Sequence, residues 1–406
     1  MMLLFCAAKQ NRNSVRALLC ALEAAMAEGH LPTKLPVKIA RSHKAAIEML
    51  NSGDVLFLSV MSSQRDEGVF VASEARGRGA FVVAGGPDPS ALPQQWLAFV
   101  DAVCVGEGEV GMKRFAVALL EGRKPLEAAQ DAGFATTASA PKTHRTDIRR
   151  VPPIALRFGV FGAIELTRSC PNACAFCQTP RLFGPPRHRP LASVLEACNQ
   201  MFARNMRDLR FIAPNALGYP HWRQLLEALQ PLRQKGARVF FGSFPSEVRP
   251  ESLTPENIKI LKRCCDNTRL VVGVQSGSDA TLKRLRRGHT VADAEAGICY
   301  ALEAGFAVEA DFIFGFPEEV EPEEELERSL WFAERLAESG VKIHAHWFLP
   351  LPGTDMSGMR PSRPPEGVER RLQRLLGRAG TGKWRTQRRL AEKLLNSSTQ
   401  FLHLTG

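Results

Sequence analysis

Along the first part of the chain, short continuous apolar runs alternate with segments whose apolar positions recur every three to four residues. MLLFCAA, LPVKIA, VLFLSV, AFVVAGG and AVCV read as strands, and SVRALLCALEAAMAEG reads as a helix ending at Gly29. Apolar strands interleaved with helices are the pattern of a parallel sheet covered on both faces. The rhythm is lost over residues 123–160, where ATTASAPKTHRTDIRRVPP has the small, polar, proline-rich composition of a connection. It returns at Ala163 with six further strand candidates: AIELT, LRFIAP, ARVFFGS, RLVVGVQ, AVEADFIFG and VKIHAHWF. Near the end, Val368, Leu372, Leu375 and Leu376, then Leu390, Leu394 and Leu395, fall at helical spacing.

The predicted fold class is α/β. A doubly wound (Rossmann-like) parallel sheet spans 1–122, a linker 123–160, a partial (β/α)6 TIM-type barrel 161–353, and a basic helical C-terminal extension 354–406. In both kinds of sheet, ligands gather at the carboxyl ends of the strands. A chain of 406 residues is long enough for two or three such bodies. No run of about 18 apolar residues occurs, so no membrane span is expected. The opening MMLLFCAAKQNR has no leading basic residue and no cleavage site, and does not read as a signal peptide.

Charge changes the picture only in one place. The net charge is +11, and the residues from Arg360 onward carry 11 Lys/Arg against 3 Asp/Glu. Any nucleic-acid or other acidic partner therefore concerns this tail first, at Trp384 and the KWRTQRR stretch. The leucine spacing favours a plainer role, with helices packed on the barrel and arginines in solvent. Most of the ten cysteines stand singly in apolar runs, where a thiol behaves as a small hydrophobe. That distribution argues against a disulfide framework and for a cytoplasmic protein with one metal or catalytic cluster.

That cluster is TRSCPNACAFCQTP, with Cys170, Cys174 and Cys177 just after the first barrel strand. Short runs of thiolates hold iron–sulfur clusters. A structural zinc asks for four ligands, and His188, the nearest extra donor, stands at an atypical spacing. Three protein ligands leave one iron of a 4Fe–4S cluster open to a small molecule. CPNACAFC resembles the CxxxCxxC motif of the radical S-adenosylmethionine (SAM) superfamily, with Phe176 as the aromatic before the last cysteine. The resemblance implies that SAM chelates the open iron and is cleaved reductively to a 5′-deoxyadenosyl radical. It also implies an electron donor such as flavodoxin or ferredoxin.

The resemblance runs over about residues 160–353. VGVQSGSDATLKRLRRGHT is similar to the family's fourth-strand region, which would place Gln275 and Ser276 near the ribose or carboxylate of SAM. DFIFGFPEE is similar to its fifth, with Ile313 and Gly315 beside the adenine, and FFGSFPSEV would put Ser243 at the third strand end. Many members carry a Gly-Gly-Glu motif after the second strand; here the sequence is APNALGYP, leaving Asn215 to meet the SAM amino group.

In the first domain, LSVMSS, AGGPDPS and VGEGEVG follow consecutive strands. They resemble the cobalamin-binding domain that precedes many radical SAM domains. By that resemblance Ser59, Val60, Met61, Gly85, Gly86, Pro87, Gly106, Glu107 and Gly108 would line the corrin or its nucleotide tail. The Asp-x-His-x-x-Gly motif that supplies a lower axial histidine is missing: the loop reads AAKQNRNSVR. The functions implied are a cobalamin-dependent radical SAM methyltransferase or a radical cyclase or rearrangement enzyme, on an unknown substrate. Two alternatives stand beside these. One is a methylthiotransferase-like enzyme acting on tRNA or protein, which would need a second cluster on Cys6, Cys20 and Cys104. The other is a cobalamin-binding sensor, for which the cysteine triad has no use.

Overall fold

Five short apolar runs build the first sheet: β1 (Leu3–Cys6), β2 (Val37–Ala40), β3 (Val55–Ser59), β4 (Phe81–Gly85) and β5 (Ala102–Val103). The computed structural model describes residues 1–400 and divides into two units, Met1–Ile164 and one beginning at Glu165. In the first, all strand pairs are parallel and the order is β2-β1-β3-β4-β5. Alternate side chains of these strands feed two separate cores, because successive residues of a strand face opposite sides. Leu3, Phe5, Val55, Phe57 and Val83 pack on one face, and Leu4, Leu56, Leu58, Val82 and Ala84 on the other.

The order reverses between β1 and β3, and such switch points open a crevice at the carboxyl ends. There the two exits are joined by an amide pair. Asn11 Nδ2 donates to Gln64 Oε1 at 3.1 Å, Gln64 Nε2 donates to Asn11 Oδ1 at 2.9 Å, and Asn11 Nδ2 also reaches the Ser59 carbonyl. Past β4 the chain turns at Gly86, whose φ of 96° favours glycine. A Cβ there would stand 2.8 Å from Val60 N. The Pro87–Ala91 helix that follows is pinned by Asp88, fully buried, which accepts from Arg65 Nε and Nη2 (both 2.8 Å) and from Trp96 Nε1 (2.9 Å).

Residues 123–160, read from the sequence as a linker, are built into the first unit. They contain a helix, Pro125–Asp131, and Ala135 exchanges two backbone hydrogen bonds of 2.8 Å with Val103, covering the edge at β5. Glu23 accepts from the backbone N–H groups of Leu156, Arg157 and Phe158 at 3.0, 2.6 and 3.2 Å. The burial of Phe134, Ala135, Ile148, Ile154 and Ala155 explains the packing, which a composition dominated by polar and proline residues concealed.

The second unit continues with β6 (Ile164–Glu165), β7 (Thr167–Arg168), β8 (Arg187–His188), β9 (Asp208–Ile212), β10 (Arg238–Phe240), β11 (Arg269–Gln275), β12 (Ala307–Phe314), β13 (Lys342–Trp347) and β14 (Gly380–Thr381). β6, β9 and β10 form one sheet and β11 to β14 another, each in chain order. The segment after β10 bridges them: Val271 N donates to Gly242 O, Val248 N to Val271 O and Gly273 N to Val248 O. This is a partial (β/α)6 barrel extended by one short strand. On β12 and β13, Ala310, Phe312, Phe314, Ile343, Ala345 and Trp347 are buried. Phe312 meets Phe332 of the Glu323–Glu338 helix. The intervening Glu309, Asp311, Ile313, His344 and His346 occupy the opposite, inner face and are half-buried.

The basic extension belongs to this unit. β14 pairs in parallel with β13, and the helices Glu366–Arg378 and Trp384–Gln400 bury Val368, Leu372, Leu375, Leu376, Trp384 and Leu394. Part of its positive charge is paired within the unit: Arg388 with Glu369 at 2.6 Å and Arg371 with Glu334 at 2.7 Å. Among the described residues, no helix is long and apolar enough to cross a membrane.

Replacing Asp88 by Ala strands a guanidinium and an indole N–H, and should lower stability by about 3 kcal/mol. Equilibrium denaturant unfolding measures this, and an unchanged midpoint would show that the Gly86 turn does not depend on Asp88.

Candidate active site

The three cysteines lie in a loop clamped at its base. β7 and β8 pair antiparallel, Thr167 with His188 and Arg168 with Arg187, so the chain leaves and returns at one point. Within the loop, Ser169 has a φ of 70°, and Cys177 N donates to Cys174 O at 3.1 Å. Ala175 N donates to Leu285 O at 3.1 Å, and Gln178 Nε2 donates to Pro352 O at 2.8 Å. Arg181 and Arg286 both pair with Asp355, whose carboxyl they hold below its ordinary range. Cys174 is buried, while Cys170 and Cys177 are half-buried, and all three are free thiols. Burial pushes the Cys177 thiol up, against hydrogen bonds from Thr179.

His188 does not serve as a fourth ligand: its Nδ1 meets Thr167 Oγ1 at 3.0 Å, and burial and then His221 lower its pKa. Among the described residues, three donor atoms within 4.8 Å of one another occur at Asp311, His344 and His346, and not at the cysteines. Thiols spread more widely than a single ion requires suit a polynuclear cluster better than zinc.

Arg287 links this loop to the inner face. Its guanidinium is buried, donating from Nη1 to Cys174 Sγ at 3.5 Å and from Nη2 to Gly273 O at 2.6 Å. Two carboxyls share its field. Burial, then the neighbouring Glu247, pushes Asp311 up to about 8; burial likewise raises Glu247, which Arg287 pulls back. One proton held between this pair is the simplest state at neutral pH. Beside them His289 is driven down to about 3, by burial and then by Arg287 and Arg249, and stays neutral. Sequence reasoning missed Glu247, Asp311, Arg287, His344 and His346. The alternation of polar residues at Glu309 and Asp311, and at His344 and His346, inside two apolar strands was the available signal.

Gln275, with φ 76° at a register shift between β11 and β12, is buried with its amide near Gly273. A non-glycine residue held there is strained, a condition common at ligand sites. Phe176 and Ile313 pack on one apolar cluster with Phe316 and Phe348. Ser243 Oγ is buried without a hydrogen-bond partner. Gly315, φ 78°, makes room for Trp347, since a Cβ would lie 2.4 Å from the indole. Two other residues turn into the protein. Asn215 accepts from Arg249 N and donates to Ser252 Oγ, both at 3.3 Å. Ser276 Oγ lies 3.0 Å from Glu321 and 2.8 Å from Ser329.

At the exits of the first sheet, Ser59 ends β3 and Met61 follows it, both half-buried, whereas Val60 between them is buried. Gly85 and Pro87 flank the tight Gly86 turn. Gly106 has a φ of 80° with open space where a Cβ would stand, and its N–H reaches Ser90 Oγ at 2.9 Å. Gly108 is closed by Leu18, and Glu107 is turned inward, accepting from Thr146 N at 2.9 Å. Cys6 belongs to the core on one face of this sheet, and Cys20 and Cys104 to the other. Burial pushes Cys6 up to about 11 and Cys104 up to about 12, so both are protonated thiols.

Residues 164–343 match the model of the Radical SAM superfamily. A tRNA-2-methylthio-N(6)-dimethylallyladenosine synthase of Anaeromyxobacter sp. (strain K) is 28% identical over 290 residues, covering 68% of this chain and 58% of that one. An uncharacterised protein of Methanopyrus kandleri is 26% identical over 238 residues, 54% of this chain and 45% of the other. The chain spans about half the length of the curated relatives it matches. Among solved structures, the radical SAM methyltransferase TsrM of Kitasatospora setae, with tryptophan and a SAM analogue bound, aligns with a TM-score of 0.62. It is 16% identical, and the match covers 88% of this chain and 75% of TsrM. The cobalamin-dependent radical SAM enzyme OxsB aligns at 0.61 with 17% identity, over 82% of this chain and 52% of OxsB. At these identities the structural likeness is one of fold. Residues 164–343 therefore match a Radical SAM domain, and the fold of the chain is like that of TsrM and OxsB.

Behind the Ser276 turn, burial pushes Glu321 up to about 7 against the hydrogen bonds of Ser329 and Ser276. A carboxyl that holds its proton more tightly when folded stabilises the fold below its unfolded pKa, and that contribution is lost as pH rises through 7. Between about pH 4.5 and 8 the loss is on the order of 3 kcal/mol. Glu321→Gln should therefore gain that much on the parent protein over this window in pH-dependent unfolding. A constant difference between the two would contradict the assignment.

Proposed function

We propose that Cys170, Cys174 and Cys177 hold a 4Fe–4S cluster at which this enzyme cleaves SAM, and that cobalamin bound by the first unit makes it a methyltransferase. The observation that carries the cluster is the clamped loop with three free thiols and a buried guanidinium on one of them. Bound there, the cluster and SAM supply a 5′-deoxyadenosyl radical, and cobalamin supplies a transferable methyl group.

The chain's own residues do the rest. Arg287 puts a fixed cation beside the cysteine loop, where it would offset the charge of the thiolates and attract the carboxylate of a bound SAM. Gln275 supplies an amide next to it, and Ser243 a hydroxyl whose hydrogen-bonding capacity the protein leaves unused. Phe176 and Ile313 form the apolar wall for adenine. Asn215 and Ser276 shape the loops that carry these groups. In the first unit Ser59, Met61, Gly85, Pro87 and Gly106 line the strand exits where a corrin would rest. Val60, Gly86, Glu107 and Gly108 hold those exits in place. A flavodoxin- or ferredoxin-like protein delivers the electron.

A methylthiotransferase-like activity is the second reading, favoured by the sequence relatives. The placement of Cys6 on the opposite sheet face from Cys20 and Cys104 weighs against the second cluster it needs.

Anaerobic reconstitution with iron and cobalt counting tests the proposal. The expected result is about four irons per chain and close to one cobalt. About eight irons would favour the methylthiotransferase, and cobalt near zero after growth with cobalamin would sink the methyl-transfer half. Cys170→Ala, Cys174→Ala and Cys177→Ala should each bring iron near zero and abolish 5′-deoxyadenosine release.

A further inference from the structure

We propose that His344 and His346 form a recognition site on the inner face of the barrel for an uncharged amide or lactam edge of the organic substrate. The two rings lie side by side, 4.7 Å between centroids, two residues apart on β13. Their hydrogen bonds set them in opposite tautomers, and the reasoning begins from donors that have no choice. The backbone N–H of Trp347 can only donate, and it meets Gln387 Oε1 at 2.9 Å. The other end of that amide is therefore its NH₂, which faces His346 Nδ1 at 3.2 Å. His346 Nδ1 is thus the acceptor, and its proton sits on Nε2.

At His344 the situation is reversed. Its Nδ1 stands 2.9 Å from Glu309 Oε1, and Thr381 Oγ1 donates to the same oxygen at 2.7 Å. Those hydrogen bonds and the Arg269 guanidinium help hold Glu309 below its ordinary range, against the opposing effect of burial. An ionised carboxylate can only accept, so His344 carries its proton on Nδ1 and its Nε2 is an acceptor. The pair presents one donor and one acceptor side by side. That is the complement of a neutral group with adjacent C=O and N–H. On the two rings a carboxylate finds only one donor, and an ammonium only one acceptor.

Asp311, His344 and His346 also have the spacing of a single-metal site, with donor atoms within 4.8 Å. The tautomers argue against a metal. A ligating Nε2 needs its proton on Nδ1, and Gln387 forbids that at His346. Gln387 and Thr381 both come from the C-terminal extension, along the edge of β13 that β14 pairs only at Ile343 and His344. The extension thereby acquires a positioning role in the site.

The inference rests on reading the barrel interior as the substrate's side. Its test reads binding rather than turnover, so a failure of the radical chemistry and a failure of this site are distinguishable. The reconstituted full-length enzyme, labelled with ¹⁵N-histidine, is observed by NMR while 2-pyridone, benzoate or Zn²⁺ is added. The expected result is a protonated Nε2 in His346, a protonated Nδ1 in His344, and movement of both Nε2 signals with 2-pyridone. Gln387→Leu should weaken 2-pyridone binding about five- to tenfold at unchanged iron content. Stoichiometric Zn²⁺ binding at these rings, tighter binding of benzoate, or no movement with 2-pyridone would each overturn the proposal.

Discussion

One buried cation organises the second unit. Arg287 is almost sealed from solvent, and a guanidinium in such a place must find anionic or dipolar partners. It finds a thiol of the cysteine loop, a backbone carbonyl of β11, and the field of two carboxyls on the inner face. Those partners come from segments far apart in sequence. Satisfying one charge therefore fixes where the cysteine loop stands relative to the strands, before any cofactor is considered. The backbone bond from Ala175 to Leu285, two residues from the arginine, serves the same end.

The first unit meets its own constraint differently. Its switch point is spanned by neutral amides, Asn11 and Gln64, and its turns rest on Gly86 and the buried Asp88. The exits are therefore shaped by hydrogen bonds internal to the chain, leaving Ser59, Met61 and Gly106 on the rim.

Much of this was legible in the sequence. The strands showed as apolar runs, because a strand buried on both faces has little choice of residue. The cysteine loop showed because a cluster needs thiols close in sequence. What stayed hidden depends on side-chain direction. Ser276 and Asn215 sit at strand exits, yet their polar atoms are claimed by Glu321, Ser329, Arg249 and Ser252. Glu107 lies in a glycine-rich turn but serves Thr146. Residues 123–160 looked like a connection, because their buried side chains are scattered among prolines and polar residues without a period. The leucine spacing of the basic tail pointed to packed helices with arginines in solvent; part of that charge is instead paired with glutamates of its own unit.

The central claim is that three cysteines leave one iron open to SAM. Electron paramagnetic resonance of the reduced, reconstituted protein tests it most directly. Addition of SAM should change the cluster's g-values and line shape, as coordination at the open iron requires. A reduced-cluster signal that is identical with and without saturating SAM would contradict the account.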